Sequence, residues 1–105
     1  RAVQINAEAN GFGVVRELVG HGVGYAVHED PAVPNFYDSR EQELELELKP
    51  GLVIAIEPML TLGDWHVKTG ADGFTILTKD GSLAAHFEHT VAVTEEGNIV
   101  ITATE

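Results

Sequence analysis

The chain has 105 residues, a length that suits one domain, 1–105, and leaves little room for a second. Six Lys and Arg face 17 Asp and Glu, and the formal net charge of −11 argues against nucleic acid or an anionic membrane as partner, because phosphate binding needs clustered cations. Cysteine is absent, which excludes a disulfide framework and thiolate metal sites, and no apolar run approaches the roughly eighteen residues of a membrane span.

Residues 2–10, AVQINAEAN, read as the body and end of a helix, with Val3 and Ala7 facing inward, Ile5 a further candidate, and Asn10-Gly11 as the C-cap. Nothing before Ala2 resembles an N-cap, so the expectation is a piece of a longer chain. Phe12 to Leu18 is apolar and fits either a short helix or an extended segment. Residues 29–40, EDPAVPNFYDSR, carry two prolines with Asn, Asp and Ser and predict a loop.

Glu43, Glu45 and Glu47 then alternate with Leu44, Leu46 and Leu48, a period of two that predicts a half-buried strand with its carboxylates in water. LVIAIEPML (52–60) predicts one buried strand, and SLAAHFEHTVAVT (82–94) another. Gly70-Ala71-Asp72-Gly73 and Asp80-Gly81 are turn signals between short strands, and residues 91–102 read as a hairpin turning at Glu95-Glu96-Gly97-Asn98. A helix followed by mostly antiparallel strands makes the fold class α+β.

Two carboxylates stand out. Glu57 follows Leu52-Val53-Ile54-Ala55-Ile56, where an unpaired ionised carboxylate would cost several kcal/mol. Either it is paired, protonated or bound to a cation, or the strand has reached solvent and Pro58 marks its end. Strand alternation places His86, Glu88 and Thr90 on one face, which is either a functional polar face or a solvated edge. His21 and His28 lie seven apart within GHGVGYAVHEDP (20–31), an odd spacing that would point them to opposite faces of a regular strand. That stretch is not a phosphate loop, since GHGVG is not GxGxxG and no Lys follows. Two histidines with two misplaced glutamates form a candidate divalent-metal constellation.

GHGVGYAVHEDP, LKPGLVIAIEPM (48–59) and DGFTILTKDGSLAAHFEHTVAVT (72–94), in that order and spacing, resemble the methionine aminopeptidase branch of the pita-bread metallopeptidases. The IEPM and FEHT forms resemble that branch more than the prolidases. The resemblance implies half of a pita-bread fold, mostly antiparallel sheet with a helix packed on one face.

It also implies roles. The family holds two divalent metals, Co, Mn, Fe or Zn, with two aspartates, one histidine and two glutamates. By motif, His21, Glu57 and Glu88 would be the histidine and glutamate ligands. His28 would contact the scissile amide, and Glu57 would accept and return the proton of the attacking water. Phe74, where the family often has Trp, and Val27 would adjoin the methionine pocket. The two aspartate ligands belong to the family's N-terminal half, whereas Asp30, Asp38, Asp64, Asp72 and Asp80 all sit in turn-like contexts here. The resemblance therefore covers a C-terminal half. It implies a cytoplasmic protein acting on a peptide or nascent-protein N-terminus, completed by an N-terminal half or by a homodimer. The rival readings are a non-catalytic protein-binding module of the same fold and a self-associating half-domain.

Overall fold

A computed structural model describes residues 1–40 and 46–104. Helix α1 (Ala2–Ala9) ends as its sequence dictates. Gly11, at φ 80°, donates to the Glu8 carbonyl at 3.0 Å while Phe12 donates to Ala7 at 3.0 Å, the paired bonds of a Schellman cap. Ala7 is buried, but Ile5 is 60% exposed, since it lies two positions from Ala7 rather than three or four.

Ten short strands follow among the described residues: β1 (Gly13–Val14), β2 (Gly20–Gly22), β3 (Glu29–Val33), β4 (Val53–Ile56), β5 (Met59–Thr61), β6 (Val67–Thr69), β7 (Ile76–Thr78), β8 (Ala84–His86), β9 (His89–Thr94) and β10 (Gly97–Val100). They form a five-stranded sheet ordered β10-β9-β4-β2-β3, a three-stranded sheet β1-β5-β8 and the hairpin β6-β7. Every pairing among them is antiparallel. Helix α1 packs against β1, and the buried apolar residues are Ala7, Val14, Val15, Ile54 and Ala55.

Four expectations need correction. The predicted 29–40 loop contains β3, and Pro31 is tolerated inside it because β3 is an outer strand of its sheet. Neither 52–60 nor 82–94 is one strand. The first breaks at Glu57-Pro58 and passes there from the five-stranded to the three-stranded sheet, and the second breaks at Phe87-Glu88 and passes back from the three-stranded to the five-stranded one. The expected strand over 43–48 lies partly outside the described residues. At its described end Leu46 and Leu48 are irregular and 56% and 55% exposed, so they are not core.

The two breaks face each other. Ile56 pairs with His89 on one side of the gap and Met59 with His86 on the other. Between them Phe87 N–H donates to the Pro58 carbonyl at 3.2 Å. Proline has no N–H to give and ends the ladder here. The predicted 91–102 hairpin appears with a tighter turn and a shorter second strand: Gly97 pairs with Thr94 across Glu95-Glu96, and β10 ends at Val100. A second hairpin joins β6 and β7, with Phe74 in its turn.

Candidate metal centre

The junction between the sheets brings together side chains from three distant stretches of sequence. His21 comes from β2, Glu57 from the β4–β5 break and Glu88 from the β8–β9 break. One nitrogen or oxygen from each lies within 4.8 Å of the others. Ligands on opposite sides of one transition ion sit about 4 Å apart, so small side-chain movements suffice for these three to share a cation.

The backbone at His21 explains the flanking glycines. A Cβ on Gly20 would fall 2.2 Å from the Ala55 carbonyl oxygen, and one on Gly22 would fall 2.1 Å from that of Asp30. Strands β3 and β4 press so closely on either side of β2 that no side chain fits. The β2–β3 register slips between His21 and Gly22, a bulge of the kind that re-aims side chains. Glu29 closes the following turn by accepting from the Ala26 N–H at 2.8 Å. The outcome is that His21 and His28, opposed in a regular strand, stand with ring centroids 4.1 Å apart.

The donor chemistry fits a cation. His21 Nδ1 lies 2.8 Å from the Gly22 carbonyl oxygen, which only accepts, so Nδ1 carries a hydrogen. In the neutral ring the Nε2 lone pair then faces Glu57 Oε1 at 3.1 Å. Two electron-rich atoms at that separation require a proton or a cation between them. Both side chains are largely enclosed, His21 at 15% and Glu57 at 13% exposed, so little water compensates. Glu88 is exposed.

Two residues of this junction were not singled out as site residues in the sequence. His86 Nε2 lies 3.2 Å from Glu57 Oε2, and buried Asn35 donates from Nδ2 to the Glu57 carbonyl at 3.3 Å. His86 shared the alternating face with Glu88, which was the available signal. Asn35 gave none, because it lies in a proline-flanked stretch that read as loop. Phe74 and Val27 are 87% and 74% exposed.

Away from the junction, Asp72 caps the β6–β7 turn. It accepts from the Phe74 and Thr75 N–H groups at 3.0 and 2.8 Å and from the Thr75 hydroxyl. The hydroxyl, then the two amides, hold its carboxyl down at about 2.

The model of metallopeptidase family M24 matches residues 1–95. The chain belongs to that family. The methionine aminopeptidase of Clostridium perfringens is 50% identical over 100 residues, 95% of this chain and 39% of that protein. Methionine aminopeptidase 1 of Bacillus subtilis is 50% identical over 101 residues, covering 96% and 40%. The crystal structure of the Thermotoga maritima methionine aminopeptidase superposes with a TM-score of 0.88 at 45% identity, over 97% of this chain and 40% of that one. The fold is accordingly that of the pita-bread enzymes. The chain spans about two fifths of the length of these relatives, and M24 membership implies divalent metal chemistry.

Proposed function

We propose that this chain forms one single-domain part, the C-terminal half, of a methionine aminopeptidase that removes N-terminal methionine from peptides and nascent proteins in the cytoplasm. The observation that carries this is the convergence of His21, Glu57 and Glu88 at the junction of two sheets. Those three residues would hold divalent metal, Co, Mn, Fe or Zn, with the remaining ligands of a two-metal centre supplied by a complementary N-terminal half. Metal held there would polarise the scissile carbonyl and make water a competent nucleophile near neutral pH.

The chain's own groups then have defined tasks. Glu57 takes the proton of the attacking water on a carboxylate oxygen and delivers it to the leaving amine. His28, stacked at a tilt beside His21, presents its ring N–H to the oxygen on which negative charge develops. Val27 and Phe74 would form part of the wall that receives the methionine side chain. Their exposure, and that of Leu62, Leu83 and Phe87, supports a covering segment contributed by the rest of the relatives' length.

The test is a chimera in which this chain follows the N-terminal segment of the Bacillus subtilis relative. Methionine release from a Met-Ala peptide, abolished by Glu88→Ala, is expected. A folded, metal-loaded chimera without release overturns the reading. Light scattering of the unfused chain distinguishes the covering half from a second copy, since a stable dimer would indicate the latter.

A further inference from the structure

Glu57 is gripped at both ends of its carboxylate. Oε1 faces His21 from the five-stranded sheet, and Oε2 lies 3.2 Å from His86 Nε2 at the end of β8 in the three-stranded sheet. A carboxylate oxygen only accepts, so the His86 Nε2 carries the hydrogen of this contact. His86 itself stands outside the group of atoms able to share one ion. Its other side borders an apolar cavity of about 250 Å³ lined by Val15, Met59, Ile76 and Leu77. Its side chain is 48% exposed.

We propose that His86 is a positioning residue for Glu57: by occupying Oε2, it leaves Oε1 as the oxygen offered to the cation and keeps the ligand from swinging or binding through both oxygens. This rests on the metal-centre reading above. The chemistry is that of an outer hydrogen bond that orients a metal ligand. Losing such a bond weakens metal binding by roughly 10- to 100-fold. Glutamine carries an N–H at about the reach of Nε2, whereas alanine carries none.

Three forms of the chain decide it: the parent, His86→Ala and His86→Gln. In the metal-free state, NMR should show His86 as the Nε2–H tautomer with cross-peaks to Glu57. The Glu57 side-chain rotamer should be fixed in the parent and in His86→Gln but averaged in His86→Ala. In Co²⁺ titrations, His86→Ala should bind about 10-fold more weakly with an altered visible spectrum, and His86→Gln should restore both. A Glu57 rotamer unaffected by His86→Ala overturns the proposal. So does a glutamine variant as weak as alanine, which would make His86 a ligand in its own right. Should the parent bind no Co²⁺ at all, the metal reading fails, while the metal-free rotamer measurement still decides whether His86 holds Glu57.

Discussion

The two strand breaks do the same topological job and treat their glutamates differently. At the β4–β5 break Glu57 is enclosed, with imidazoles at both oxygens and the Asn35 amide on its carbonyl. At the β8–β9 break Glu88 is exposed. The adjoining residue alone does not set this contrast, for each acid directly follows an apolar one, Ile56 and Phe87. It comes from which elements fold back over each break: β2 and the segment after β3 cover the first. Glu57 is therefore held in place before any cation arrives, while Glu88 has room to adjust. A site with one fixed and one adjustable carboxylate can tolerate small differences in ion size.

The sharpest way to break this comparison is to remove each acid in turn. Glu57→Ala should cost more Co²⁺ affinity than the roughly 100-fold upper range seen for residues that merely support a ligand. Glu88→Ala should cost less, about 10-fold, because water can replace an exposed carboxylate. Equal losses by titration calorimetry would mean that enclosure is irrelevant to ligation. Next in size, Gly22→Ala forces a Cβ against the Asp30 carbonyl. Forced overpacking costs about 1–3 kcal/mol, so the urea midpoint should drop and the His21–His28 contact should be lost from NMR spectra. A midpoint unchanged from the parent would show that β2 can retreat from β3.

The smallest effect is a control remote from both breaks. Asp72 titrates near 2, below its ordinary 3.8, because the Thr75 hydroxyl and the turn amides favour its charged form. A depressed folded value contributes stability above the unfolded value and loses it as pH falls through the folded one. Amide exchange at Phe74 and Thr75 should therefore quicken as pH falls from about 4 to 2, relative to the intrinsic rate. No such change would mean the cap does not hold the turn.

Much of this was legible in the sequence. The α+β class, the Asn10-Gly11 cap and the Asp72 turn follow from local chemistry, and they appear as expected. Glu57 was legible as an anomaly, and its two readings both contain truth: the strand does end at Pro58, and the carboxylate is nonetheless enclosed. What could not be read was the pairing of the breaks. An apolar run such as 52–60 looks the same whether it serves one sheet or two, since period and polarity report burial but not which partner lies alongside. The meeting of His28 with His21 was hidden for a related reason. Alternation assumes a regular strand, and the bulge at His21 voids that assumption. Asn35 takes its role from a contact 22 residues away, a separation no local pattern encodes.

The facing breaks also have a mechanical meaning. Where two sheets are joined by a pair of chain crossings at the same level, the joint behaves like a crease, and bending is easiest about the line through it. Glu57 lies on that line with one imidazole from each sheet on its two oxygens, so it acts as a clasp across the fold. Flexing the crease pulls His21 and His86 apart and must loosen one grip. Hydrogen exchange should accordingly group β4 with β9 and β5 with β8 as separately opening units, and a cation that tightens the clasp should fuse them into one.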